Sequence, residues 1–178
     1  MHKLTHQEIL SQRAANKKLD RIPVCLLLEN IRSLYNVGSM FRLADGARIE
    51  RVLLTGVTGT PPHAGVRKTA LGADESVPWE YHVDSLKAVR RLSNAGYRIA
   101  VLEQADSSKI HWETNYEFPV CLVLGNEITG IRQEIVEMAD QVIEIPMHGE
   151  KNSLNVAMAA GIVVYEMKRQ YAQLGSNT

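Results

Sequence analysis

Only two of the 178 residues are cysteines, and aromatic residues make up 6%. Cys25 and Cys121 each sit inside an apolar run, PVCLLL and PVCLVL, and neither has the partner spacing of a metal site. Both read as buried free thiols. The six histidines, His2, His6, His63, His82, His111 and His148, are scattered without ligand spacing, so no metal is expected. No apolar run reaches the roughly 18–20 residues needed to cross a bilayer, and no membrane partner is expected. The first residues, MHKLTHQEIL, lack the apolar stretch of a secretory signal, and a cytoplasmic location is the expectation. Net charge is zero, which argues against nucleic-acid binding by charge alone. There is no G-x-G-x-x-G after the first predicted strand, no G-x-x-x-x-G-K-[ST] and no G-x-S-x-G. A dinucleotide-binding Rossmann domain is therefore poorly supported, and a P-loop and a hydrolase nucleophile elbow are absent.

What is present is an ordinary balance of 45% hydrophobic and 22% charged residues, suited to one domain over 1–178 with a real core. Charge is uneven along the chain. Residues 1–68 hold eleven Lys/Arg against five Asp/Glu, a net of +6, and residues 69–178 hold nine against fifteen, a net of −6. Arg13, Lys17, Lys18, Arg67 and Lys68 in the basic part are candidate contacts for a polyanion. Thr5-x-x-Glu8 reads as a capping box that opens a helix to about Leu19, an N-terminal extension over residues 5–19. Ile22–Glu29 reads as a fully buried strand. Further strands are expected at Arg51–Thr55, Ser76–His82 (an edge strand, because Pro78 lacks a ladder donor), Tyr97–Glu103, Pro119–Leu124 and Gln141–Ile145. Helices are expected from Asn36 to Ala47, in a short piece closing near Gly72, from Asp84 to Ala95 with Gly96 as the stop, over Arg132–Ala139 and from Ser153 to about Gln173. Residues 104–117 read as irregular. Strands alternating with helices predict an α/β fold with a mostly parallel sheet covered on both faces.

Ligands of open α/β sheets bind beyond the carboxyl ends of the strands. Three such ends carry unusual polar clusters. The first runs from Glu29 to Arg42 and holds Asn30, Asn36, Gly38 and two arginines. Asn36 is also a plausible helix cap, and Arg42 does not share its helix face. The second is Leu124-Gly125-Asn126-Glu127-Ile128-Thr129-Gly130, whose glycines admit a close backbone approach and whose Glu127 offers an acceptor. The third is Ile145-Pro146-Met147-His148-Gly149-Glu150-Lys151-Asn152-Ser153-Leu154-Asn155-Val156, with Ser153 as a candidate cap and Asn155 leaving an amide for hydrogen bonding. The helix that follows is apolar nearly all round, and Ala157, Ala159, Ala160 and Gly161 permit close approach to the sheet or to a second subunit.

These three clusters, N-x-x-x-x-x-N-x-G-x-x-x-R, L-G-N-E-x-x-G and I-P-M-x-G-x-x-x-S-L-N-V, resemble in order and spacing the three motifs of the TrmH/SpoU branch of the SPOUT RNA methyltransferases. The resemblance covers about residues 22–170. It implies a C-terminal trefoil knot whose loops bind S-adenosylmethionine, and a homodimer with the site near the subunit interface. It implies transfer of a methyl group to a ribose 2′-hydroxyl of tRNA or rRNA. Carried over by position, Leu102, Gly125, Ile145 and Leu154 correspond to cofactor contacts. Arg42, Asn36, Glu127, Ser153 and Asn155 correspond to the catalytic set. A bulky residue at Gly125 is expected to exclude the cofactor by direct clash while the chain stays folded. Two alternatives remain open from the residues: a knotted methyltransferase acting on a base nitrogen, and a non-enzymatic RNA-binding or assembly factor of the same fold.

Overall fold

Val24, Leu26 and Leu28 point to one side of strand β1 (Ile22–Glu29), and Cys25 and Leu27 point to the other, because successive strand side chains alternate faces. Both sets are fully buried, so β1 has to lie inside a sheet covered twice. The computed structural model, which describes residues 2–16 and 19–175 and leaves out the Arg13 side chain, shows that arrangement. The other strands are β2 (Ile49–Thr55), β3 (Trp79–His82), β4 (Arg98–Leu102), β5 (Lys109–Ile110), β6 (Val120–Leu124) and β7 (Gln141–Glu144). Their order is β3-β2-β1-β6-β4-β7-β5. Every pairing between these strands is parallel, so all carboxyl ends fall along one rim of the sheet.

Helices cover both faces. On one, α2 (Leu34–Ala47), α3 (Ala64–Ala70), α4 (Ala73–Ser76) and α7 (Val156–Gly175) contribute Met40, Phe41, Val66, Ala73, Val163 and Met167 to a core with Leu26 and Leu28. On the other, α5 (Ser85–Asn94) and α6 (Gln133–Met138) bring Val89, Leu92 and Ile135 against Leu27, Leu53 and Ile99. Each fully buried large aliphatic side chain contributes about 1.5–3 kcal/mol by leaving water. The first helix, α1 (His6–Asn16), is exposed at every described side chain. Its capping box forms as expected: the Thr5 amide donates to Glu8 Oε2 at 2.7 Å and the Glu8 amide donates to Thr5 Oγ1 at 3.3 Å.

Several boundaries differ from the sequence-based expectation. Ser33, not Asn36, caps α2; its Oγ accepts the Asn36 amide at 3.2 Å. Ser153 does not cap α7. Asn155 does, its Oδ1 accepting from the amides of Ala157 at 3.0 Å and Met158 at 3.3 Å. Two short helices, α3 and α4, stand where one was expected, because Leu71 and Gly72 both turn left-handed between them. The edge strand begins only at Trp79, since Ser76 closes α4. Strand β5 falls inside the stretch expected to be irregular and forms the edge opposite β3. Cys25 and Cys121 stand opposite each other on β1 and β6 as buried free thiols. Burial pushes the Cys25 thiol up to about 11 and the Cys121 thiol well above its ordinary value, so both are protonated and inert.

Candidate functional site

The segments after β1, β6 and β7 meet on the carboxyl rim. Asn30, which follows β1, takes a left-handed conformation with φ 55°. Its Oδ1 accepts the Val57 amide at 3.1 Å, and its carbonyl accepts Asn126 Nδ2 at 2.8 Å. That second bond ties the first segment to the loop carrying Glu127. Asn126 Oδ1 in turn accepts the amides of Ile128 and Thr129, shaping the loop. Gly130 closes it with φ 68°.

Three side chains then form a directional chain across these segments. Glu127 accepts Asn36 Nδ2 at 3.0 Å, and Asn36 Oδ1 accepts Asn155 Nδ2 at 3.0 Å. The direction follows from chemistry. An ionised carboxylate only accepts, so Asn36 must present its NH₂ to Glu127 and its oxygen to Asn155. Asn155 must then donate, which leaves its oxygen for the cap of α7. Glu127 also accepts the backbone amides of Arg32 at 3.3 Å and Ser33 at 3.4 Å. Burial pushes its carboxyl up, but these hydrogen bonds and one from its own amide outweigh burial and hold it below the ordinary carboxylate range.

Beside this chain lies a cavity of about 500 Å³. Its walls include all four expected cofactor contacts, Leu102, Gly125, Ile145 and Leu154, and also Glu127, Ser153 and Asn155. Apolar side chains at the strand ends combine here with a few convergent polar groups, the usual make-up of a small-molecule site. The Ser153 hydroxyl is exposed and has no hydrogen-bond partner among the described residues. At Gly125, which does line the cavity, a side chain also conflicts with the loop itself, against the expectation that a substitution there leaves the fold untouched. A Cβ there would lie 2.5 Å from the Gly130 carbonyl carbon and 2.5 Å from the Ile131 nitrogen, so it meets the backbone of its own loop. Among the described residues no group of three or more His, Cys, Asp or Glu is placed to hold a metal ion, and no helix is long and apolar enough to cross a membrane.

Residues 23–165 match the model of the SpoU rRNA Methylase family. The chain belongs to that family. The 23S rRNA (guanosine-2'-O-)-methyltransferase RlmB of a Burkholderia species is 34% identical over 149 residues, which is 83% of this chain and 60% of that protein. The crystal structure of a TrmH/SpoU tRNA modifying enzyme of A. aeolicus superposes with a TM-score of 0.80 at 27% identity, covering 94% of this chain and 86% of that one. An AdoMet-bound rRNA methyltransferase from Sinorhizobium meliloti gives a TM-score of 0.77 at 27% identity, over 82% of this chain and 56% of its own. The chain thus spans only about three fifths of the Burkholderia relative.

Of the SpoU-type residues expected in the site, Arg42 is the one the structure does not bring there. Six residues past Asn36, it points about 120° away around α2. Its exposed side chain lines a separate cavity of about 880 Å³ with Asp45, Arg48, Ser76 and Lys168, and it has no ion-pair partner among the described residues. Of the candidate polyanion contacts, Arg67 is held by Asp74 at 3.5 Å and Glu75 at 3.4 Å. Lys17, Lys18 and the Arg13 side chain lie outside the described residues.

Two carboxylates were missed. Glu103 lines the cavity; its Oε2 accepts the Ile131 amide at 3.1 Å and its Oε1 the Gln104 amide at 3.0 Å. Glu29, 1% exposed, accepts Ser85 Oγ at 2.7 Å and the Arg132 amide at 3.1 Å. Together they pin both sides of the far end of the Glu127 loop. Glu29 opens the first polar cluster of the sequence and Glu103 ends a predicted strand, but no motif marks either acid as a site residue.

Proposed function

We propose that the chain transfers the methyl group of S-adenosylmethionine to a ribose 2′-hydroxyl of tRNA or rRNA, acting in the cytoplasm as a homodimer. The observation that carries this reading is the Glu127–Asn36–Asn155 chain beside a cavity lined by the four expected cofactor contacts. The relatives support it: one is named for 2′-O methylation of guanosine in rRNA, one for tRNA modification, and one was crystallised with AdoMet. Residues 1–178 act as a single catalytic domain, with residues 5–19 as an N-terminal extension. The C-terminal trefoil knot that the sequence motifs imply is part of this reading, supported by the likeness to the TrmH/SpoU enzyme of A. aeolicus.

The cavity suits the cofactor in its donors as well as its size. Leu102, Ile145 and Leu154 offer apolar surface to an adenosine, and Glu103, Glu127 and Glu144 surround it with negative charge that complements an ammonium and a sulfonium. When bound, S-adenosylmethionine supplies an activated methyl group. Glu127 stays ionised and, through Asn36, fixes the Asn155 amide at the cavity wall. Ser153 Oγ accepts a hydrogen bond from the ribose hydroxyl, orients it and, being exposed, passes to solvent the proton that the hydroxyl loses on methylation. Holding the reacting groups in line replaces an encounter in solution. Arg42 of the partner subunit holds the neighbouring phosphate and stabilises the developing oxyanion, acting as a fixed planar cation and not as a base.

A second copy would supply the Arg42 that the site does not receive from its own chain. The helix that would carry the contact is α7, where Met158, Ile162 and Tyr165 form an exposed apolar stripe at spacings of four and three. The test is label transfer from methyl-labelled S-adenosylmethionine to total RNA, followed by digestion to nucleosides. Label in 2′-O-methylnucleosides is expected. Label on a base, or none, overturns the reading.

A further inference from the structure

Tyr35 presents a ring to solvent, 52% exposed, one residue before Asn36. It is not a loose surface side chain. Thr69 Oγ1 on α3 donates to the Tyr35 carbonyl at 2.9 Å. The two helices approach backbone to side chain at Gly38, where a Cβ would lie 2.1 Å from Thr69 Oγ1 and 2.2 Å from the Val66 carbonyl. That contact fixes α3 against the start of α2. It places Lys68 Nζ 5.5 Å from the centre of the Tyr35 ring and 3.5 Å from its hydroxyl. Arg67 next to it is engaged by two carboxylates, whereas Lys68 has no carboxylate partner among the described residues. On the other flank of the site, Arg32 is exposed and gives its amide to Glu127.

From this geometry we propose that Tyr35 and Lys68 form a nucleotide subsite for single-stranded RNA beside the target. A base stacks on the Tyr35 ring and its phosphate pairs with Lys68. The inference rests on the function proposed above and adds to it a recognition site for the flanking nucleotide. An aromatic ring with a nearby cation is what sequence-tolerant single-strand binding uses, because every base offers a π-face and every link a phosphate. A protein partner fits less well, since lysine is depleted in interface cores and Lys68 stands exposed beside the ring.

The test uses the full chain and two probes: a fluorescein-labelled single-stranded RNA 12-mer of mixed sequence, read by anisotropy, and label transfer to total RNA. Tyr35→Ala should weaken 12-mer binding and raise the KM for RNA by about 5- to 100-fold. Its S-adenosylmethionine affinity and its mass by light scattering should stay at wild-type values. Tyr35→Phe, which keeps the ring, should stay near wild type. Lys68→Ala should lower the slope of log affinity against log salt by about 0.7. If wild type transfers methyl groups and Tyr35→Ala equals it in both RNA readouts, the subsite is wrong and the proposed function stands. A Tyr35→Ala protein that turns monomeric makes this a subunit contact and overturns the subsite. A wild-type chain that neither binds RNA nor transfers label overturns both.

Discussion

A Cβ at Gly125 meets Gly130 and Ile131, so the loop that carries Glu127 must move before any side chain fits. Gly125→Ala already carries that conflict, at a cost of about 1–3 kcal/mol from overpacking. We expect it to weaken S-adenosylmethionine by at least about tenfold, together with a lower urea midpoint. Gly149→Ala is the control, because nothing lies within 4 Å of a Cβ there. Equal calorimetric affinity in Gly125→Ala and wild type removes the loop from cofactor binding. A second residue gives a pH dependence. His111 is 6% exposed, packs edge-on against Trp112 at 4.8 Å and leaves Nδ1 without a partner. Burial lowers its pKa from 6.5, with Glu166 opposing. The unfolded chain therefore takes up the proton first as pH falls. The stability His111 contributes is present above about 6.5 and is lost as pH drops below it toward the folded value. The urea midpoint should decline over that window in wild type and less in His111→Phe. Parallel curves for the two proteins would remove His111 as the cause.

Among the elements, α5 is one whose sequence reading and structure agree end to end. Asp84 Oδ1 accepts the amides of Leu86 at 3.0 Å and Lys87 at 3.3 Å, and Gly96 turns left-handed just past the end with φ 90°. Asp84→Ala should cost about 1 kcal/mol and lower Tm by about 2–4 °C. A Tm equal to wild type would show that solvent satisfies those amides as well as the carboxylate does. Elements of this kind are legible because cap, period and stop lie within a dozen residues. The buried strands are legible for a similar reason, as continuous apolar runs. Strand β5 is not, because two residues carry no period. The start of α2 misleads because Ser33 and Asn36 can both cap, and the choice is made by Glu127, 91 residues away, which recruits the Asn36 amide. The site shows the same division. The motif residues Asn36, Glu127 and Asn155 were visible, and so were the walls at Leu102, Gly125, Ile145 and Leu154. Glu103 and Glu29, which hold the loop through backbone amides, have partners that no spacing rule identifies.

At the scale of the whole molecule, Arg42 does not reach the Glu127 cluster within its own chain, and the proposed function places it at the partner's site. If it acts across a twofold interface, two defective chains can repair each other. In a mixed dimer of Arg42→Ala and Glu127→Ala chains, one site receives Glu127 from its own chain and Arg42 from the other, so it holds both. If Arg42 instead served its own chain after some rearrangement, neither site of the mixed dimer would be complete. Arg42→Ala should lose at least about 10²-fold in single-turnover transfer, the usual loss when an oxyanion partner is removed, and Glu127→Ala should also lose activity because Asn36 and Asn155 are no longer oriented. The Arg42→Ala protein should keep its S-adenosylmethionine affinity within a few fold, because Arg42 does not line the cavity proposed for the cofactor. Random pairing of two equally expressed chains makes half the dimers mixed, each with one complete site of two. Co-expression should therefore restore about a quarter of wild-type activity. Arg42→Lys in place of Arg42→Ala then asks what the guanidinium does: poor rescue points to the planar fork gripping a phosphate, and good rescue points to charge alone. Activity of the mixed protein no higher than that of the single variants, with mixed dimers confirmed by mass, would end the cross-subunit assignment. Near-normal transfer by Arg42→Ala alone would return that residue to an ordinary surface arginine.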